Sequence, residues 1–294
     1  MKAIKYIIPC ICSTALLMAC SSENETNESE TKVPLEISIG NNTRSIIEGT
    51  AIPTQTQFGI FGEYNQKIND IDNMSVFYDG KCKLSKDVYL NNSSMHIKAY
   101  YPYSSKVEKG IAEIDIRDQI DFLYGSAVDS KGELQVVNNS NPKANIVFKH
   151  ALSRLTFKVR HTAAYGGDFK LTKIFITPVY VTANFNVISQ ELTPSLLNEP
   201  TFPLNITVTE DFTSFDLLMI PLPENSHPRW ILFSGDNISY GNTTLEGEWA
   251  AGQQYTYEIT FDDNGIKVSE AVITPWESST QPGIDITDDN LVNQ

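Results

Sequence analysis

The chain has 294 residues, with 22 Lys+Arg against 36 Asp+Glu and a formal charge of −14. An apolar content of 41% belongs to a globular protein rather than a disordered one, and the negative balance argues against nucleic acid as a partner. With 16 Gly and 14 Pro the chain is neither collagen-like nor a linker, and at roughly 100–200 residues per domain its length suggests about two domains. Residues that favour pleated sheets recur throughout, so a mostly β protein is expected.

Residues 1–19 contain Lys2 and Lys5, then an uncharged stretch from Ile7 to Met18, and no acidic residue. That order is the pattern of a secretory signal peptide, too short for a transmembrane helix. Its end, Leu17-Met18-Ala19-Cys20, resembles the bacterial lipobox, in which the cysteine is acylated and becomes the new N-terminus. Cys20 is therefore the expected lipidation site, the other reading being a plain signal peptide with an incidental cysteine. No other run approaches the ~20 apolar residues of a span, so lipid on Cys20 is the only evident contact with a membrane. Cleavage there takes two positive charges and no negative ones, so the mature chain moves from −14 to −16. Residues 20–32 are polar and acidic and read as a solvated tether. In Bacteroidetes lipoproteins such acidic residues resemble a signal for export to the cell surface; a periplasmic spacer is the alternative.

Along the rest of the chain, period-two alternation marks strands with one buried and one wet face. Val33, Leu35, Ile37 and Ile39 form one such set, Leu155, Phe157 and Val159 a second, and Tyr255, Tyr257, Ile259 and Phe261 a third. Further strands are expected around Ile97–Tyr101, Ile111–Ile116, Lys173–Thr177, Asn205–Val208, Asp216–Ile220 and Trp230–Phe233. Asp263-Asn264-Gly265 reads as a tight hairpin with a type I′ turn at Asn-Gly. A boundary is expected at Thr162–Asp168, which divides the chain into β-sandwich segments at 33–163 and 164–277, followed by an acidic stretch at 278–294.

Catalytic and cofactor signatures are missing: there is no G-x-G-x-x-G, Walker loop, G-x-S-x-G, H-E-x-x-H, EF-hand loop or C-x-x-C. No enzyme activity and no cofactor are expected. His96, His150, His161 and His227 lie scattered without ligand spacing, so no metal site is expected, and His150 reads as structural. Once Cys10 and Cys12 leave with the signal and Cys20 is acylated, Cys82 is the one remaining thiol and reads as structural. Tyr100-Tyr101-Pro102-Tyr103 reads as core or sheet edge rather than a sugar-stacking platform.

Several segments, taken in order, resemble the fimbrillin family of Bacteroidetes lipoproteins, the Mfa-like and FimA-like subunits of type V pili. They are the lipobox at Cys20, Thr43-Arg44 with Ile46, Ile47 and Gly49, Phe58-Gly59-Ile60-Phe61-Gly62, and Ile97-Lys98-Ala99-Tyr100-Tyr101-Pro102-Tyr103. Asp121-Phe122-Leu123-Tyr124, Val147-Phe148-Lys149-His150-Ala151-Leu152-Ser153-Arg154-Leu155-Thr156-Phe157 and Ile273-Thr274-Pro275-Trp276 complete the set, the segment around His150 being the most specific.

The resemblance implies an all-β fold of two tandem transthyretin-like β-sandwich domains, and a structural role as shaft, tip or anchor of a surface pilus. It also implies partners: other pilus subunits, outer-membrane lipid through acylated Cys20, and an arginine- or lysine-directed surface protease. In members that polymerise, the protease removes an N-terminal strand, and a C-terminal strand of the neighbouring subunit fills the groove. Arg44, the first arginine after the strand at Val33–Ile39, is the candidate processing site; Lys32 precedes the strand, and a cut there would open no groove. Donor candidates lie in Val268–Ile286, with Trp276, Ile284 and Ile286 as pocket fillers. The alternative function is a monomeric surface lipoprotein or tip adhesin that binds host glycan or protein without polymerising.

Overall fold

A computed structural model describes residues 32–39, 45–46, 48–49, 52–222, 229–235 and 239–276, and strands are the dominant element among them. In the first half the strands are β1 (Val33–Pro34), β2 (Glu36–Ile39), β3 (Ser45–Ile46), β4 (Glu48–Gly49), β5 (Thr56–Tyr64), β6 (Lys67–Ile68), β7 (Met74–Tyr78), β8 (Cys82–Leu84), β9 (Tyr89–Leu90), β10 (His96–Tyr101), β11 (Ile111–Asp115), β12 (Leu123–Ala127) and β13 (Lys143–His150). The second half supplies β14 (Ser153–His161), β15 (Phe169–Thr177), β16 (Val179–Asn186), β17 (Glu191–Asn198), β18 (Thr201–Val208), β19 (Thr213–Met219), β20 (Arg229–Ser234), β21 (Ser239–Leu245), β22 (Gln253–Asp262), β23 (Gly265–Val268) and β24 (Val272–Pro275). The fold is all-β, with short 3-10 turns at Ile116–Asp118 and Ala163–Tyr165.

The first large sheet runs in the order β2-β13-β12-β10-β5-β7-β8, with β6 added beside β5. One face carries Phe58, Ile60, Val76, Ile97, Ala99, Leu123, Ile146 and Phe148, and Leu35, Ile52, Leu90 and Val137 close over it as one core cluster. The opposite face carries Phe61 and Tyr100, which join a second cluster together with Phe122 and Phe185. Gly59 stands directly across from Tyr100 on the neighbouring strand. A Cβ there would come within 2.1 Å of the tyrosine ring, so the absence of a side chain is what lets Tyr100 lie flat across β5. The sheet β11-β16-β17 brings Phe185 onto this face, 4.9 Å from Tyr124 and 5.1 Å from Phe122 between ring centroids.

The second half packs two sheets face to face. One has the order β19-β14-β22 with β23 and β24 on the far side of β22; the other has the order β18-β15-β20-β21. Phe157 stands at the centre, stacked on Phe215 at 5.2 Å and Tyr257 at 5.8 Å, with Phe233 edge-on at 6.4 Å. The inward residues expected from alternation, Leu155, Phe157, Val159, Tyr255, Tyr257, Ile259 and Phe261, are all buried. β14 pairs in parallel with β22 from Arg154↔Gln254 to His161↔Phe261, and antiparallel with β19 on its other side. Sheet membership therefore changes at Ala151-Leu152, between β13 and β14, ahead of the Thr162–Asp168 segment.

The hairpin at the end of β22 differs from the type I′ expectation. Asp262 pairs with Gly265, so the two loop residues are Asp263 and Asn264, and the positive φ falls on Gly265 at 125° rather than within the loop. The cause is the Asp262 side chain, which accepts the Asn264 N–H at 2.9 Å and pairs with Lys267, holding an Asx-type turn with the glycine after it.

Two of the histidines find carboxylates that their spacing did not suggest. His150 Nδ1 is 2.8 Å from Asp121 Oδ2, and His161 Nε2 is 3.0 Å from Asp168 Oδ1. His161 Nδ1 also faces the Thr162 carbonyl at 2.9 Å. With an acceptor at each nitrogen, the Thr162 carbonyl foremost and then Asp168, the imidazole is held above its ordinary value of 6.5.

Two outcomes follow from this packing. Phe157→Ala, which empties the centre of the second core, should lower the urea-unfolding free energy by about 3–5 kcal/mol, read from the shift in midpoint at constant slope. A raised His161 pKa stabilises the fold below the unfolded value, and that gain is lost as pH rises through the folded one. The thermal midpoint of the native chain should fall between about pH 6 and pH 8 more than that of Asp168→Asn; identical slopes would count against the pair.

Candidate functional site

The chain's first described segment is an edge strand. Val33, Leu35, Ile37 and Ile39 turn toward the protein, Pro34, Glu36 and Ser38 toward solvent, and Leu35 is the fully buried member. β1 pairs with β9, and β2 pairs in parallel with β13 over Glu36↔Lys143 to Ile39↔Ile146. Leu35 N–H donates to Val88 O at 2.9 Å and Glu36 N–H to Pro142 O at 3.0 Å. Pro34 is tolerated because an edge position does not require its missing donor.

β2 also lies against β8, the strand at the opposite end of the same sheet. It thus fills a seam whose walls are β13 and β8, and Leu35, with Ile37 and Ile39 packed beside it, joins the apolar cluster that includes Leu90, Val137, Ala144 and Ile146. The hold is limited. Burial of Leu35 contributes about 1.5–3 kcal/mol, Ile37 and Ile39 are only half-buried, and the Lys143–Glu36 pair at 3.5 Å is exposed. Loss of the segment would uncover an unpaired edge of β13 and the apolar cluster beside it.

The last described segment is also an edge strand. β23 and β24 follow one another along the same side of β22, pairing Ile259↔Val268 to Asp262↔Gly265 and Gln253↔Pro275 to Thr256↔Val272. Between them Ser269 is tied to β22, its N–H donating to Glu258 O at 2.9 Å and its Oγ accepting Glu258 N–H at 3.0 Å. Beyond β24, Trp276 is buried, with its backbone N–H donating to Gly252 O at 2.9 Å and its ring stacked on His150 at 3.8 Å and 13°. His150 is the last residue of β13, so one strand carries the ladder to β2 near its start and the stacking partner of Trp276 at its end.

Of the site residues expected from sequence, Trp276 falls inside the described residues, seated in its own subunit's core. Cys20, Arg44, Ile284 and Ile286 lie outside them. Cys82 sits on the β8 wall, half-buried, its thiol pushed up to about 11 by burial and so inert at neutral pH. Tyr100 is a core residue whose hydroxyl lies 2.6 Å from Asn73 Oδ1 and 3.0 Å from Ser104 O, with its pKa pushed up to about 12 chiefly by burial; Tyr101 and Tyr103 are half-buried. The sequence marks a turn and strand at Asp79–Leu84 and carries Asp121 within a family segment, but it gives neither the place of β8 beside β2 nor the pairing of Asp121 with His150, which depends on the pairing of β12 with β13. Among the described residues no helix is long and apolar enough to cross a membrane, and no three His, Cys, Asp or Glu side chains cluster as a metal site.

A family model described as fimbrillin-like matches residues 43–276. Among solved structures, a candidate cell adhesion protein of Bacteroides uniformis superposes with a TM-score of 0.66 at 18% identity, covering 83% of this chain and 99% of that one. A candidate cell adhesion protein of Bacteroides ovatus gives 0.63 at 17% identity, covering 85% and 100%. A fimbrial protein of Bacteroides vulgatus gives 0.54 at 15% identity, covering 83% and 99%. No curated protein matches.

If β1 and β2 fill a seam, a chain beginning at Ser45 should melt lower than the chain from Cys20 and bind a hydrophobic dye. A synthetic Lys32–Ile39 peptide added in trans should raise the melting point again, and a peptide with Leu35→Asp should not. Dye binding that is unaffected by either peptide would count against the seam.

Proposed function

From its membership of the fimbrillin-like family, established over residues 43–276, we propose that the protein is a structural subunit of a cell-surface pilus, in a shaft, tip or anchor position. In this reading it is exported as a lipoprotein, loses the signal at 1–19, and is held to the outer membrane through acylated Cys20 and the acidic tether at 20–32. Two tandem transthyretin-like sandwiches, 33–163 and 164–277, form the body of the subunit, with 278–294 as tail or donor segment. The structural relatives, described as cell adhesion and fimbrial proteins, support a subunit that serves adhesion.

The observation that carries this reading is the seam. β2 is a four-residue strand that pairs with β13 and lies beside β8 at the other end of the same sheet, the position from which removal would create an acceptor groove rather than a ragged surface. An arginine- or lysine-directed surface protease that cuts after Arg44 would release Cys20–Arg44, taking lipid and strand together. The vacated β13 edge then accepts a strand from a neighbouring subunit. That donor comes from Val268–Ile286, where Trp276, Ile284 and Ile286 supply apolar side chains for the places left by Leu35, Ile37 and Ile39.

The test is mass spectrometry of the mature N-terminus on material sheared from cells. Ser45 at the N-terminus of polymeric material, and its loss together with the polymer in Arg44→Ala, are the expected results. Acylated Cys20 in every surface-derived molecule would overturn the polymerising-shaft version and leave an anchor or a monomeric adhesin.

A further inference from the structure

Resting on the strand-exchange reading, we infer that Trp276 is the catch that keeps the C-terminal segment on its own subunit, and that the His150–Asp121 pair is the seat that sets how readily it lets go. The segment has little else to hold it. All four residues of β24 are exposed, Val272 at 62% and Ile273 at 56%, so its side chains bury almost nothing. Its ladder to β22 runs for four residue pairs, and its other edge is unpaired among the described residues. Trp276, 1% exposed, is the first side chain after β23 that is fully buried. A strand anchored by one large ring at its end is released when that ring leaves, because a short edge ladder opens locally without the rest of the sheet.

The seat is built to hold the ring without locking it. Asp121 Oδ2 fixes the imidazole through Nδ1 at 2.8 Å, and the imidazole presents its face to the indole at 3.8 Å. Three polar atoms of this same stack, Asp121 Oδ1, His150 Nε2 and Trp276 Nε1, are buried with no hydrogen-bond partner among the described residues. Each orphaned group carries a desolvation cost while the ring is seated, and that cost is relieved when the ring swings out and water reaches them. A residue placed only to fill the core would be expected to satisfy its indole N–H; Trp249, in the same cluster, donates its own to Tyr257 at 3.0 Å. Apolar burial closes the catch, and the unsatisfied groups keep the closed state shallow. The hinge is Glu270–Ala271, which follows the Ser269 tie to Glu258 and precedes β24, so the tie and the β22–β23 hairpin stay in place when β24 departs.

The experiment is amide hydrogen exchange on the full mature chain as a monomer, following the amides of β24 and of residue 276, with the β14–β22 ladder as internal reference. Trp276→Ala should speed exchange in β24 by about tenfold or more, His150→Ala and Asp121→Asn by a smaller factor, and Trp276→Phe hardly at all, while the β14–β22 amides keep their native rates. Unchanged β24 exchange in Trp276→Ala would overturn the catch. So would β24 and β14–β22 amides accelerating together in Trp276→Ala and His150→Ala alike, since Trp276 would then be an ordinary core residue. Assembly is scored separately on the same variants. A loosened β24 in monomers that assemble no faster supports the catch and counts against the strand-exchange reading, whereas faster assembly with β24 still protected keeps that reading and sinks the catch.

Discussion

The free edge of a β-sheet is the constraint on which this molecule is built. Unpaired backbone donors and acceptors along an apolar strand must meet water or another strand, and a fold built mainly of strands has many such edges to dispose of. It covers two of them with its first and last described strands. β2 lies against β13 and also against β8 at the other end of the first sheet, and β23 and β24 together cover the side of β22 that β14 leaves open. Neither cover is deep. The interiors are held by rings such as Phe157 and Tyr100, which touch several strands at once, while the covers are held by short ladders and one buried side chain apiece, Leu35 at the start and Trp276 at the end.

That contrast gives the fold an uneven distribution of stability. The eight-pair parallel ladder between β14 and β22 runs through the larger core cluster and opens only with the whole sandwich. The covers sit at the low end of the scale, where local opening costs far less than global unfolding. β13 is common to both covers: its first residues pair with β2, and its last, His150, carries Trp276.

Legibility in the sequence followed burial on one face. Val33–Ile39, Leu155–Val159 and Tyr255–Phe261 alternate because one side of each meets the core and the other meets solvent or a polar neighbour, and these strands were readable residue by residue. Around Phe58–Gly62 both faces are covered, one by each core cluster; alternation in polarity disappears there, and the strand has no period to display. Val179–Asn186 does alternate, Val179, Val181, Ala183 and Phe185 inward and Tyr180, Thr182, Asn184 and Asn186 on the other face, yet it was not among the strands expected from sequence. The hairpin at Asp263-Asn264-Gly265 was readable as a turn but not as a turn type, because the Asp262 side chain, rather than the Asn-Gly pair, dictates the local backbone.

The sequence by itself determined the β class, the placement of most strands that have one wet face, the structural nature of His150 and the family resemblance, since these rest on local chemistry and on residues near one another in the chain. Only the tertiary structure decided that β14 belongs with β22 and β19 rather than with the strands before it, that β2 has a second wall in β8, that Asp121 stands behind His150, and that Trp276 is buried in its own subunit. Each of those is a pairing between distant segments. Pairings are chosen by which edges and which apolar faces remain uncovered once the neighbouring strands are in place, a competition among the whole set of strands that no single segment records.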